Sequence, residues 1–232
     1  HWDEERRQVV ARRRVCIEDL ILESQAAALP NDGRVLDCLV EAVSKDLEQL
    51  PLTDPEVQGL LARMHHLHSV FPDKEVPEPT TEWLRDSLPA VLSGLRGLTR
   101  LSASALRNRL WEHLSYPQRQ ALDQLAPEHY VVPSGSRKRL TWTREGPPVL
   151  AVRMQEIFGL TQTPRVLGGR VPVLLHLLAP NGRPAQITHD LESFWQNTWT
   201  EVRSELRRRY PKHSWPEDGR DAAPERRPKR RR

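Results

Sequence analysis

The chain has 232 residues, of which 38% are hydrophobic and 28% charged, with a formal net charge of +4. This composition is typical of one large or two small globular domains. No apolar run reaches the roughly 18 residues that a membrane helix needs, so we expect no membrane partner. Cys16 and Cys38 are too few for a disulfide scaffold, which favours a reducing, cytoplasmic location. Because the first residue is His1 rather than Met, we expect a fragment of a longer protein.

The charge is distributed unevenly along the sequence. Residues 203–232 carry a net charge of +7, whereas the preceding residues carry −3. A basic C-terminus is typical of contact with phosphate backbones. It is also typical of a solubility tail, and the excess of arginine over lysine throughout the chain indicates coding bias. The sequence leaves both interpretations open.

Residues 1–29 predict β-strands, because β-branched and aliphatic residues cluster around Val15 to Ile17 and Leu20 to Leu22. Two short strands are too few for an independent domain. We therefore interpret residues 1–29 as the end of an upstream β-rich domain.

Residues 30–127 predict helices, with apolar residues at helical spacing and a start signal before most segments. Asp54 followed by Pro55 is a typical helix start, as is Ser102. Ser115 and Gln118 have the spacing of a capping box.

Residues 128–216 predict strands and helices together. A hairpin is expected across residues 133–136 and a second one at Asn181-Gly182. Between them, residues 171–178 are apolar on both alternating faces, which favours a strand that is covered on both sides. We also expect a short helix from Pro147-Pro148 to Phe158.

The last helix is expected to begin after Asp190, with Glu205 and Arg209 spaced to form an ion pair. Residues 217–232 have almost no apolar content, so we expect a disordered basic tail. The predicted fold class is α+β: a helical bundle-like region, then a small antiparallel-sheet domain with packed helices, then the tail.

The sequence lacks the common motifs of nucleotide hydrolysis, zinc binding and nucleophilic catalysis. None of the lysines is followed by Ser or Thr, so the phosphate loop G-x-x-x-x-G-K-[ST] is absent. The neighbouring His65, His66 and His68 lack the spacing of a zinc site. Ser134 and Ser136 favour a turn over a nucleophile elbow. We expect no catalytic and no metal-binding residue.

Basic residues close to aromatic or glycine residues give the better candidates, and they point to nucleic-acid binding. Trp142 is a candidate stacking platform for a base. The candidate phosphate contacts are Arg137, Lys138, Arg139, Arg165, Arg170, Lys212 and His213. Equally open is that Trp142 belongs to the core and that the basic residues of the hairpin form a solvated sheet edge.

Several segments from Val132 onward resemble one known family. These segments are residues 132–136, 146–160, 168–180, 184–191, 194–195 and 209–217. Together they resemble the C-terminal region of the bacterial HrpB-type ATP-dependent helicases, which are relatives of the DEAH-box group. Residues 1–29 look like the end of the OB-like domain that precedes this region in the family.

The resemblance implies a nucleic-acid-dependent NTPase and helicase. Its two upstream RecA-like motor domains would bind ATP and Mg²⁺, and its C-terminal domains would surround a channel for single-stranded RNA or DNA. The phosphate loop and the DEAH box are both missing from this chain, so we expect no cofactor in it. The leading hypothesis is an accessory region that braces the motor and contacts nucleic acid.

The alternative hypothesis is a protein-interaction module that docks to the motor domains or to another partner. Its candidate contact residues are Trp83, Trp111 and Trp199, near the edges of the predicted buried stripes.

Overall fold

A computed structural model describes residues 1–18 and 20–226, which divide into two compact units. The first unit comprises residues 1–65 and 75–119, and the second comprises residues 66–74 and those from 120 onward. These boundaries differ from the predicted ones at residues 29 and 127. Within the described residues, no helix is long and apolar enough to cross a membrane.

The N-terminal strands of the first unit form two antiparallel pairs. They are β1 (Trp2–Asp3), β2 (Gln8–Val9), β3 (Ala11–Ile17) and β4 (Leu20–Ala27). Val9 donates its backbone N–H to Arg96 over 2.8 Å, and Leu98 donates to Arg7 over the same distance. The first ten residues are therefore integrated with the loop at residues 96–98, whereas the sequence assigns them to the end of an upstream domain. The β3–β4 hairpin is exposed along nearly its whole length.

Five helices follow the hairpin. They are α1 (Arg34–Lys45), α2 (Pro55–Val70), α3 (Thr81–Val91), α4 (Ala103–His113) and α5 (Tyr116–Leu125). Their buried side chains in the first unit are mainly leucines, such as Leu39, Leu60, Leu88 and Leu106. The helical region that the predicted fold class contains is therefore present between Arg34 and Leu125.

The local start signals of these helices are formed as the sequence predicts. The Asp54 carboxylate accepts from the Glu56 N–H over 2.9 Å, and the Ser102 hydroxyl accepts from Ala105 over 3.2 Å. In the capping box, Ser115 donates its backbone N–H to the Gln118 side chain over 2.8 Å. Each cap satisfies a backbone N–H that lacks a partner inside its helix.

The second unit is built on a five-stranded sheet in the order β11-β10-β7-β6-β5. Its strands are β5 (His129–Val131), β6 (Arg137–Thr141), β7 (Val149–Arg153), β10 (Leu174–Leu178) and β11 (Pro184–Thr188), while β8 (Arg165–Val166) and β9 (Val171–Pro172) form a small separate pair. Neighbours are antiparallel except for β7 and β10, which are parallel. The α+β class is confirmed, and both predicted hairpins are present.

The predicted helix from Pro147-Pro148 to Phe158 is wrong. Residues Val149–Arg153 form β7, and only Met154–Glu156 make a short 3-10 turn. Leu150 and Val152 are buried, whereas Ala151 and Arg153 are exposed. This period of two is that of a strand, and the strand is stabilised by pairing with residues 174–178, which lie far away in the sequence.

The chain then enters α6 (Leu191–Ser193), a π-helical turn (Phe194–Thr198) and α7 (Trp199–Arg209). Asp190 caps this run, as predicted, by accepting from the Ser193 N–H over 2.9 Å. Among the described residues no salt bridge joins Glu205 to Arg209, and the Arg209 guanidinium instead lies 5.7 Å from the centre of the Tyr210 ring.

Residues 217–226 were predicted to be disordered, but the structure shows them packed within the second unit. Gly159 donates its N–H to the Gly219 carbonyl over 2.9 Å, and Glu225 donates to Gln155 over 2.7 Å. Gly219 is buried against Trp195, which is too close to admit a Cβ. Backbone contacts of this kind do not depend on apolar side chains, so composition gave no sign of them. The rest of the expected tail, residues 227–232, lies outside the described residues.

Candidate nucleic-acid interface

The outer face of the five-stranded sheet carries a group of arginines. Arg137 and Arg139 alternate with Lys138 and Leu140 along β6, so that the two arginines point to solvent. On the adjacent strand β7 the exposed residues include Arg153. Within the described part of the chain, none of these three arginines forms a salt bridge. We call Arg137, Arg139 and Arg153 the sheet arginines.

Lys138, predicted to contact phosphate, points to the opposite side of the sheet. Its ammonium lies 2.8 Å from a carboxylate oxygen of Glu156, whose side chain is only 4% exposed. The same Glu156 carboxylate accepts from the Ser134 hydroxyl over 3.4 Å. A lysine that neutralises a buried carboxylate has its charge already engaged, so the structure does not place Lys138 with the sheet arginines.

Trp142, predicted as a stacking platform, lies in the core with 4% of its surface exposed. Its indole N–H donates to the Pro127 carbonyl over 2.9 Å, and the His66 ring lies 5.5 Å from its own. A base cannot stack on a ring whose faces are covered. The structure therefore agrees with the other interpretation that the sequence left open, in which Trp142 belongs to the core.

Arg165 and Arg170 do bracket the turn at Gly168-Gly169, but both guanidinium groups bind backbone carbonyls. Arg165 donates to the carbonyls of Gly169 and Arg170. Arg170 donates to Val70 over 2.8 Å and stacks 4.2 Å from the centre of the Phe71 ring. Their first role is to hold this turn in place, and the backbone N–H groups of Gly169 and Arg170 are themselves already bonded to carbonyls.

Lys212 and His213 follow α7 and lie beside a groove of about 970 Å³. Lys212 is exposed, whereas His213 is half-buried and lines the groove. Burial is the main cause that lowers the pKa of His213, and the positive charge of Arg153 lowers it further, against an opposing effect of Glu225. His213 therefore lies within electrostatic reach of a sheet arginine.

The groove is lined by three arginines that the sequence analysis missed: Arg203, Arg207 and Arg208. Arg203 donates to the Trp215 carbonyl over 3.1 Å. Neither Arg207 nor Arg208 has a salt bridge or a hydrogen-bond partner in the described chain. The run of arginines at residues 207–209 was visible in the sequence, but the segment that closes the groove, residues 211–217, was not predicted to fold back.

Among the described residues there is no group of three or more His, Cys, Asp or Glu side chains arranged to hold a metal ion. The described geometry offers positive charge on two surfaces, the sheet arginines and the groove, and positive charge attracts anions.

Comparison with known proteins connects this architecture to one class, the ATP-dependent helicases. A family model described as "ATP-dependent helicase C-terminal" matches residues 83–219. Because that match covers more than half of the chain, the chain belongs to the HrpB-type ATP-dependent helicase C-terminal family. The resemblance inferred from the sequence is confirmed.

Relatives that match nearly the whole chain support this membership. The "ATP-dependent RNA helicase HrpB" of Escherichia coli (strain K12) is 36% identical over 234 residues, which cover 99% of this chain and 29% of that protein. The crystal structure of the E. coli DExH-box NTPase HrpB superimposes with a TM-score of 0.79 at 35% identity, covering 96% of this chain and 28% of that one.

A second solved structure, of the Escherichia coli DEAH/RHA helicase HrpB, gives a TM-score of 0.70 at 33% identity. It covers 92% of this chain and 28% of the other. The chain thus spans less than a third of the length of the relatives that it matches.

Proposed function

We propose that this chain is an accessory region of an ATP-dependent RNA helicase, where it contacts single-stranded nucleic acid and braces the motor domains. Membership of the family supports the helicase context. The name of the E. coli relative, an RNA helicase, favours RNA over DNA. ATP and Mg²⁺ belong, in this proposal, to the motor domains, since the phosphate-loop motif is absent from this sequence.

The single observation that carries nucleic-acid contact is the set of sheet arginines. They lie on one face of a rigid sheet, point to solvent and lack acidic partners among the described residues. Guanidinium groups in such a position bind phosphate oxygens through charge-assisted, often bidentate hydrogen bonds. Phosphate contacts of this kind give affinity without sequence preference.

The test is binding of a fluorescein-labelled single-stranded oligouridylate, measured by fluorescence anisotropy at several salt concentrations. The comparison is between the wild-type chain, the double variant Arg137→Ala/Arg139→Ala, and a matched double variant, Arg13→Ala/Arg14→Ala. The matched pair removes the same charge from exposed positions on β3. Lys138 is left intact because its removal would expose Glu156 without a partner.

Each lost phosphate contact reduces the slope of log affinity against log salt by about 0.7 for a single strand. We therefore expect the slope to fall by about 1.4 in Arg137→Ala/Arg139→Ala and to stay near the wild-type value in the matched variant. An unchanged slope in the first variant would remove the sheet arginines from the interface. Lack of binding by the wild-type chain at low salt would overturn the proposed function.

A second candidate function, docking to a protein, is favoured by the β3–β4 hairpin. Its tip exposes five large apolar side chains, from 48% to 66% of their surface: Val15, Ile17, Leu20, Ile21 and Leu22. A two-stranded hairpin is marginal without a packed face. The tryptophans that the sequence suggested contribute less, because Trp199 is 2% exposed and belongs to the core, and Trp83 and Trp111 are half-buried.

The docking candidate is tested by titrating isolated motor domains of the helicase with the chain. Saturable binding that is lost in Ile17→Lys/Leu20→Lys, with no RNA binding by the chain, would favour docking as the main function.

We extend the proposal to a cytoplasmic location, which the two free thiols of Cys16 and Cys38 support.

A further inference from the structure

The residues that line the groove beside α7 lie between positions 203 and 217, well after the sheet arginines in the sequence. One wall is α7, and the other is the segment 211–217 that folds back along it. Two indole N–H groups fasten this segment: Trp199 donates to the Glu217 carbonyl over 3.1 Å, and Trp215 donates to Tyr210 over 2.8 Å. Trp215 is 7% exposed, and its ring centre lies 6.3 Å from that of Trp199. These contacts hold the segment 211–217 in place and so define the shape of the groove.

The charge of the groove is strongly positive. Arg203 and Arg207 are four residues apart, which puts them about 6 Å apart along one face of the helix, and Arg208 lies beside them. Among the described residues, Glu217 is the one acidic residue that lines the groove. His213 also lines it, and burial, followed by the charge of Arg153, lowers the pKa of this imidazole.

Like charges at this spacing repel each other and destabilise a helix. Arg207 and Arg208 gain some stabilisation from the negative end of the helix dipole. Arg203 lies further from the helix end and is held by the Trp215 carbonyl, so the dipole does not explain its presence in the groove. The repulsion between these clustered arginines is relieved when an anion binds among them.

We propose that this groove binds consecutive phosphates of a single-stranded nucleic acid. The inference rests on the proposed function, since it extends the contact from the sheet arginines to a second surface. The volume of about 970 Å³ lies within the range of ligand-binding clefts and suits a short stretch of one strand. A concave groove admits a single backbone, whereas the broad double helix would contact only its rim. The planar guanidinium groups favour phosphate, which they bind through two parallel hydrogen bonds.

The experiment uses the full 232-residue chain and the same labelled oligouridylate. The test variant is Arg207→Ala/Arg208→Ala, whose side chains have no hydrogen-bond partner in the described chain, so that folding is retained. The controls are Arg13→Ala/Arg14→Ala, with the same loss of charge, and Arg207→Lys/Arg208→Lys, which keeps the charge but loses the planar fork. Unlabelled duplex RNA of the same length and polyglutamate serve as competitors.

We expect affinity for the single strand to fall about tenfold in the alanine variant, with a salt slope lower by about 1.4. The matched variant should stay within about twofold of wild type, and the lysine variant should lie between the two. Single-stranded RNA should compete better than the duplex, and polyglutamate should compete poorly.

The experiment distinguishes failure of the groove proposal from failure of the proposed function. If the wild-type chain binds RNA and the alanine variant binds equally well, the groove proposal is overturned and the proposed function stands. If polyglutamate competes as well as RNA, the groove takes acidic protein segments, which also overturns the groove proposal. If the wild-type chain does not bind RNA at all, the proposed function fails, and the groove proposal fails with it.

Discussion

The ammonium of Lys138 lies 2.8 Å from the buried carboxylate of Glu156, on the opposite side of β6 from Arg137 and Arg139. Three consecutive basic residues therefore have two different roles. The outer two carry free positive charge, whereas the middle one neutralises a carboxylate that would otherwise be buried alone. The partition follows from the period of two along a strand.

Replacement of Lys138 by methionine should destabilise the chain. The variant leaves the Glu156 carboxylate buried without its cation, which we expect to cost about 2 kcal/mol of unfolding free energy. The Lys138 side chain is 30% exposed, so solvent screens part of its attraction to Glu156 and the cost stays moderate. Urea unfolding followed by circular dichroism measures this cost.

The control for this experiment is Arg139→Ala on the same strand, which should change the unfolding free energy by less than about 0.5 kcal/mol. In the double variant Lys138→Met/Glu156→Gln the cost should be smaller than in Lys138→Met alone. Equal stabilities of Lys138→Met and the wild type would show that the ion pair is not needed.

Trp142 provides a test that separates core packing from base stacking. Trp142→Phe keeps an aromatic ring but removes the N–H that binds Pro127, and we expect a loss of about 1–2 kcal/mol in stability. Its affinity for oligouridylate should match that of the wild type. A marked loss of RNA affinity with unchanged stability would restore Trp142 as a stacking platform.

The local features of this fold could be predicted from the sequence, because their causes are local. Ser102 and Asp54 cap helices through atoms two or three residues away, and Asn181-Gly182 forms its hairpin by its own backbone preferences. By contrast, β7 is a strand because it pairs with residues 174–178, a contact that the local pattern does not contain.

The candidate site was also predictable only where its causes are local in the sequence. Arg137 and Arg139 were found from composition, and the alternation with Leu140 was a signal that Lys138 points inward. The partner Glu156 is 18 residues away and was not foreseeable. The groove beside α7 exists because residues 211–217 fold back, through hydrogen bonds from two tryptophans that the sequence pattern does not reveal.

His213 should make the stability of the chain depend on pH. Burial, and then Arg153, lower its pKa in the folded chain below the ordinary value of 6.5. As the pH falls below that value, the unfolded chain takes up a proton that the folded chain does not, so the free energy of unfolding decreases. Above it, His213 is neutral in both states and its contribution is complete.

We therefore expect the wild type to lose more stability than His213→Gln between about pH 7.5 and about pH 5.5, as measured by urea unfolding. The other histidines are present in both proteins, so the comparison isolates the contribution of His213. Parallel pH profiles of the two proteins would show that the environment of His213 is not as described.

Gly219→Ala tests whether residues 217–226 pack as the structure shows. A Cβ at this position overlaps the Trp195 ring, and we expect overpacking to cost about 2 kcal/mol. The matched variant is Gly59→Ala in α2, where a Cβ meets no atom within 4 Å. In the helix interior this change should be neutral or stabilising, by up to about 1 kcal/mol.

Limited proteolysis gives the second measurement on Gly219→Ala, with accelerated cleavage expected after Arg220 and Arg226. If the variant is as stable and as resistant to trypsin as the wild type, the C-terminal segment does not depend on its contact with Trp195.

The measurement that most directly tests the accessory role is RNA-stimulated ATP hydrolysis by the complete helicase polypeptide, with and without Arg137→Ala/Arg139→Ala. We expect an unchanged basal rate, because no ATP site is assigned to this region. We also expect half-maximal stimulation by the variant to require at least about fivefold more RNA, since two phosphate contacts are lost. An unchanged RNA requirement, with Arg207→Ala/Arg208→Ala also without effect, would contradict the claim that this region contacts the nucleic acid.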